Sequence, residues 1–244
     1  IDLLGLTSLG CLADVEAAIE GGHLDGVSSL RGMRMSIEGF GNVGAGIAKL
    51  AIHDGALIIA ASDLPDPSSD YGGVIYHPDG LDVGGLLQAR ARGRSVIESG
   101  QRGAQLFRGA ASLKTLFELE TDIVVPAART DTVNLELARK IRARFVLEAA
   151  NKPLSVEAEE HLCARGVLCS VDYLSNCGGI TACAEELDEV HRPLGPMRLP
   201  RAVARIVGVV RTNADAVYGL AKREGITPRA AAERIIEPRI ARPA

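Results

Sequence analysis

The residues best suited to do chemistry form one short run, Gly39-Phe40-Gly41-Asn42-Val43-Gly44, with Asp63 following it. Arg34-Met35-Ser36-Ile37-Glu38 before the run reads as a strand. After it, Val43, Ile47, Leu50 and Ala51 recur at helical spacing. In a strand–turn–helix setting, Gly39 permits the tight turn and Gly41 lets the backbone approach a pyrophosphate. Gly44 lets the helix pack closely on the strand. The helix N-terminus then offers free N–H groups and the positive end of its dipole to phosphates. Asp63 follows the apolar run Ala56 to Ala61 and lies at the end of the second strand. A carboxylate there accepts hydrogen bonds from an adenosine ribose and repels a 2′-phosphate, so the pattern predicts a dinucleotide site that favours NAD over NADP. The blander alternatives are a ligand-free turn at the glycines and a simple strand-end turn residue at Asp63.

Other chemistries find little support. The five histidines, His23, His53, His77, His161 and His191, have no metal-ligand spacing, and no zinc or phosphate-loop pattern occurs. The five cysteines form no CxxC pair, and an odd count argues for reduced thiols rather than a disulfide framework. With a net charge of −4 and only the broken run Arg90, Arg92, Arg94, no nucleic-acid partner is expected. No apolar segment is long enough to span a bilayer and none resembles a signal peptide, so a cytoplasmic protein without membrane contact is expected.

These residues need a scaffold. Aromatics make up only 3% of the 244 residues, so the core must be built from Ala, Val, Ile and Leu, which suits a parallel sheet buried on both faces. Helices are expected from Leu6 to Ile19, capped by Thr7 or Ser8, from Asp82 to Arg92, through Val133, Leu137 and Ile141, and after Ser155. Strands are expected at Ala56–Ala61, Asp122–Pro126, Phe145–Ala149 and Gly166–Ser170, with an extra one at Gly73–Tyr76. The Pro-, Ser-, Asp- and Gly-rich segment from Leu64 to Gly80 and the stretch from Gly93 to Ser112 read mainly as loop. Beyond Pro200, a long amphipathic helix and a second one starting at Thr227-Pro228 have no strand to follow. The expected fold is α/β: a Rossmann-like, doubly wound, mostly parallel sheet with additional C-terminal helices. One domain is expected over 1–244, the helices of about 200–244 packing back on it.

The chain also resembles a known family. Ile37 to Gly44 is similar to the cofactor loop of glutamate dehydrogenases. So are Thr7-Ser8-Leu9-Gly10-Cys11, Gly73 to Asp82, Asp122 to Ala128, Glu148-Ala149-Ala150-Asn151 and Asn176-Cys177-Gly178-Gly179-Ile180, in that order along the chain. The family is that of the glutamate, leucine, phenylalanine and valine dehydrogenases, and the match is to its C-terminal, NAD-binding domain. The resemblance implies a small-molecule amino acid and 2-oxo acid as substrates, and a homo-oligomer for a full-length enzyme. It implies that Thr7 contacts the nicotinamide carboxamide. Ala127, Ala128 and Asn151 would line the ribose side of the cleft, and Asn176 would sit beside the nicotinamide and the substrate. Asn151 and Asn176 could instead be ordinary turn residues tolerant of positive φ.

The family's N-terminal domain, with its lysine in a glycine-rich segment and its aspartate, is expected to be absent. The chain opens on Ile1, and none of Lys49, Lys114, Lys140, Lys152 and Lys222 lies in such a segment. No catalytic residue is assigned, and binding of NAD without turnover is expected of the chain alone. At the position where glutamate dehydrogenases hold the substrate carboxylate with serine, this sequence has Cys183. The run Gly179 to Leu187 looks more like the branched-chain enzymes, whereas Tyr76 to Asp82 points to glutamate. The alternatives are a non-catalytic NAD-binding module derived from the family, or an oxidoreductase of another class on the same sheet.

Overall fold

The computed structural model describes residues 4–63, 72–109, 113–188 and 198–240. Ten helices and seven strands lie over them, and the last four helices follow one another after the final strand. The strands are β1 (Arg34–Glu38), β2 (Leu57–Asp63), β3 (Gly73–Tyr76), β4 (Gln105–Arg108), β5 (Ile123–Pro126), β6 (Phe145–Val146) and β7 (Leu168–Cys169). They form one sheet in the order β4-β3-β2-β1-β5-β6-β7. From β2 through β1, β5, β6 and β7 every pairing is parallel, and β3 is antiparallel to both its neighbours. The α/β, mostly parallel, doubly wound fold is as the sequence indicates. Topology reverses at β1 and β5, where open α/β sheets hold their ligands.

Both faces of the sheet are covered, and the period of two along each strand sorts side chains between them. Ile123, Val125 and Phe145 pack with α1 (Leu6–Glu20), α2 (Asn42–His53) and the C-terminal helix α9 (Arg198–Glu224). Val124 and Val146 pack oppositely with α4 (Leu113–Glu118), α5 (Leu135–Ala138) and α6 (Val156–Ala164). Two polar ties hold α9 on α1. The Tyr218 hydroxyl donates to Asp14 Oδ1 at 2.8 Å, and Arg211 bridges Glu16 and Glu20. The last helix, α10 (Pro228–Ile240), starts with Pro at its first position, and the Ala230 N–H donates to the Thr227 hydroxyl. No described helix is long and apolar enough to cross a membrane.

Several expectations need correction. Gly5, at φ 68°, precedes α1, so neither Thr7 nor Ser8 caps it. The Ser8 hydroxyl donates instead to the Val43 carbonyl of α2 at 2.9 Å. The helix through Val133, Leu137 and Ile141 shrinks to the single turn α5. Val133 is pinned in an extended bridge to Leu154, and the Asn134 side chain caps α5 by accepting the Leu137 N–H. In the stretch from Gly93 onward, Ser95 caps a short turn at Val96–Glu98, and β4 closes the sheet edge. Residues 64–71 of the Pro-rich segment and residues 241–244 lie outside the described residues.

Candidate functional site

The turn between β1 and α2 is fixed by contact. Gly39 has φ +89°, and a Cβ on it would lie 2.7 Å from the Ala128 methyl group. Its N–H and that of Phe40 donate to the Ser62 carbonyl at 3.1 and 2.7 Å, and the Phe40 ring is buried in the core. A Cβ on Gly44 would fall 2.0 Å from the Gly39 carbonyl oxygen. Gly41 is different. Its φ of −76° is open to any residue, and a Cβ there would meet nothing within 4 Å. Among the described residues, no atom requires glycine at this position. The space beside it adjoins the first turn of α2, where Asn42, Val43 and Gly44 have no intrahelical acceptor for their N–H groups.

A cleft of about 610 Å³ opens at the carboxyl ends of β1, β5 and β6, within the range usual for cofactor sites. It is lined by Thr7, Val43, Ala127, Ala128, Asn151 and Asn176, six of the residues singled out in the sequence. Close approach of backbones brings them together. A Cβ on Gly178 would lie 2.0 Å from the Leu6 carbonyl, and one on Gly10 2.9 Å from the Ser175 carbonyl. The start of α1, carrying Thr7, therefore abuts the turn after α7 (Asp172–Ser175), which carries Asn176. Asn176 Nδ2 donates to Asn151 Oδ1 at 2.8 Å, which leaves the Asn151 NH₂ and the Asn176 carbonyl oxygen available to a ligand. Lys152, next to Asn151, has φ 44°. Its N–H donates to Asp172 Oδ2 at 2.9 Å and its carbonyl accepts the Asp131 N–H at 2.9 Å.

Asp63 stands at the end of β2, apart from this cleft's lining. Its carboxylate accepts the Val96 N–H. Burial raises its pKa, against hydrogen bonds from Ser95 and Val96 and the charge of Arg90. Arg90 also donates to the side chain of Asn42, linking the end of β2 to the glycine turn. Beneath the turn lies a fully buried acid to which the sequence assigned no role, Glu38. Its Oε2 accepts the Ala128 N–H at 3.1 Å, while Oε1 has no partner among the described residues. Burial pushes this carboxyl up to about 7, against the Ala128 bond and the charge of Arg129.

Arg129, Thr130, Ala149, Ala150, Gly179 and Ile180 also line the cleft without having been assigned to it. Position is the one signal that could have found them, since each adjoins or belongs to a motif that marks the site. Arg129 is the only ionisable lining group among the described residues, and a guanidinium does not serve as a base. Among the described residues, no group of three or more His, Cys, Asp or Glu could hold a metal ion.

Comparison with known proteins bears on family and fold. The family model for glutamate/leucine/phenylalanine/valine dehydrogenase matches residues 3–242. The NAD-specific glutamate dehydrogenase of Staphylococcus aureus strain COL is 35% identical over 175 residues, which are 72% of this chain and 38% of that protein. The cryptic catabolic NAD-specific glutamate dehydrogenase of Bacillus subtilis is 37% identical over 152 residues, 62% of this chain and 32% of that one. The chain thus spans about a third of the length of these relatives. Among solved structures, the hetero-hexameric glutamate dehydrogenase of Thermus thermophilus in its leucine-bound form superposes with a TM-score of 0.77 at 30% identity. That match covers 98% of this chain and 52% of that one. The L-tryptophan dehydrogenase of Nostoc punctiforme shares the fold, with a TM-score of 0.69 at 24% identity over 97% of this chain and 60% of that one.

Proposed function

Because the chain belongs to the glutamate/leucine/phenylalanine/valine dehydrogenase family, we propose that it is the NAD-binding domain of an amino-acid dehydrogenase. The enzyme would convert an L-amino acid, such as glutamate or a branched-chain amino acid, to the 2-oxo acid and ammonia. The observation that carries this reading is Gly41. Its neighbours Gly39 and Gly44 are glycine because protein atoms crowd them, whereas a Cβ on Gly41, at a helix N-terminus, would meet no atom of the described residues. A backbone kept bare there suits a pyrophosphate. The names of the relatives support NAD as the dinucleotide.

Bound NAD would supply the hydride acceptor, and the chain's residues would hold and orient it. The N–H groups of Asn42, Val43 and Gly44 would face the phosphates, and Phe40 would shape the turn from below. Ala127 and Ala128 would form a smooth floor, and Thr7, Asn151 and Asn176 would offer hydrogen bonds at the nicotinamide end. Asp63 would face the adenosine ribose and disfavour a 2′-phosphate. Among the described residues, the cleft lining holds no acid–base group able to move the substrate's protons, and binding without turnover is the behaviour proposed for the chain by itself. Oligomerisation is proposed only for a full-length enzyme.

Fluorescence titration of the chain with NADH and NADPH tests the reading. Saturable binding of NADH that is tighter than that of NADPH, with the preference narrowed in Asp63→Ser, is expected. Failure to bind either nucleotide would contradict it.

A further inference from the structure

The Asn151–Asn176 pair is held from behind by a helix that never reaches the cleft. Glu148 lies three residues before Asn151 and Asp172 four before Asn176, so each stands at the base of a segment that carries one member of the pair. Between them sits the guanidinium of Arg229, from the first turn of α10. Its Nη2 donates to Glu148 Oε2 at 2.9 Å, its Nη1 to Asp172 Oδ1 at 3.1 Å, and its Nε to Glu159 Oε2 of α6 at 2.8 Å. The Tyr173 ring lies under the guanidinium carbon at 5.7 Å. Asp172 spends its other oxygen on the Lys152 N–H, and the Ser175 hydroxyl donates to the Glu148 carbonyl at 2.6 Å. The two segments are thereby joined through Arg229, through the Lys152 N–H and through the Ser175 hydroxyl, and once more at their tips, where Asn176 meets Asn151.

We propose that Arg229 is a positioning residue: by clamping Glu148 and Asp172 together it fixes the left-handed turn at Lys152 and so sets the Asn151–Asn176 pair for the cofactor. The value of that pair rests on the dinucleotide reading of the cleft; the mechanical link does not. Three features support the assignment. The guanidinium is planar and presents its donors in a fixed fork, so it can meet three carboxylates at once, which an ammonium on a flexible stem cannot reproduce. Lys152 is not glycine, and its positive φ persists only while its N–H and carbonyl are held. The acids are placed unequally, since Glu159 belongs to α6 and leads to neither asparagine. One clamp therefore has two arms that reach the cleft and one that only anchors α10.

That asymmetry gives the test. The variants Arg229→Lys, Asp172→Asn and Glu159→Gln would be compared with the unaltered 244-residue chain for NADH affinity, melting temperature and amide exchange at Lys152. Arg229→Lys and Asp172→Asn are expected to lose protection at Lys152 and to bind NADH roughly 10-fold more weakly, about the worth of one well-placed hydrogen bond. Glu159→Gln is expected to lower the melting temperature while leaving affinity and Lys152 protection unchanged. Wild-type affinity together with a protected Lys152 amide in folded Arg229→Lys would overturn the proposal, as would a change of affinity without a change in exchange. If Arg229→Lys does not fold, Asp172→Asn carries the same two outcomes. If the unaltered chain binds no NADH, the dinucleotide reading fails. Exchange at Lys152 and the Asn176 side-chain amide resonance then decide the link alone: unchanged signals in the variants refute it, shifted ones support it.

Discussion

The two walls of the cleft are built on opposite principles. The glycine wall, from β1 into α2, is positioned by atoms that touch: a Cβ on Gly39 or Gly44 would collide with Ala128 or with the turn's own carbonyl. The asparagine wall, from the end of β6 to the turn after α7, is positioned by hydrogen bonds and charge, through Asp172, Glu148 and Arg229. Contact tolerates no added volume but is indifferent to charge. A polar clamp tolerates small changes of volume but fails when one partner is lost, because the remaining charges stay buried. The two walls should therefore break in different ways.

The largest effect is expected from Gly44→Val on the contact side. The added Cβ would sit 2.0 Å from a backbone oxygen that has no flexible end to swing away. A loss of roughly 3 kcal/mol or more is expected, in line with overpacking at a rigid site. Urea unfolding measures it, and a midpoint close to that of the unaltered chain would show that the turn is not set by contact.

A smaller effect concerns the buried acids behind the walls. Burial pushes Asp14 and Glu38 up to about 7 each, from ordinary values of 3.8 and 4.5. Between about pH 4 and 7 the folded chain keeps protons that the unfolded chain releases. Stability from these two groups is therefore full on the acid side and falls as pH rises through 7. Asp14→Asn and Glu38→Gln should each flatten the decline in a series of melts from about pH 5 to 8. A wild-type slope in both would mean that the two carboxyls titrate normally.

The smallest effect is expected at the tip of the polar wall. Asn176→Ala removes one side-chain bond at 2.8 Å and leaves the clamp beneath it intact. NADH affinity should fall by about 10-fold with the melting temperature nearly unchanged. An equal loss of stability would mean that the pair is structural.

The same contrast explains what could be read from the sequence. The contact wall is written locally: strand, glycines and helix are consecutive, and glycines at fixed spacing announce a turn in which Gly39 and Gly44 admit no side chain. The sheet was legible for a similar reason, since apolar runs such as Ile123-Val124-Val125 carry their own signal. The polar clamp is not local. Arg229 meets Glu148 across 81 residues and Asp172 across 57, and no periodicity marks it among the other arginines. Family resemblance placed Asn151 and Asn176 at the cleft but gave no hint of what holds them. Helix spacing also misled at Val133, where a bridge to Leu154 overrode it, and residue type misled at Ser8, whose hydroxyl serves α2 rather than capping its own helix.

The central claim is that Gly41 is bare for the sake of a dinucleotide and for no reason of folding. Gly41→Val tests it in one paired measurement of NADH affinity and melting temperature. A melting temperature like that of the unaltered chain is expected, together with loss of saturable NADH binding. Undiminished binding by the folded variant would contradict it.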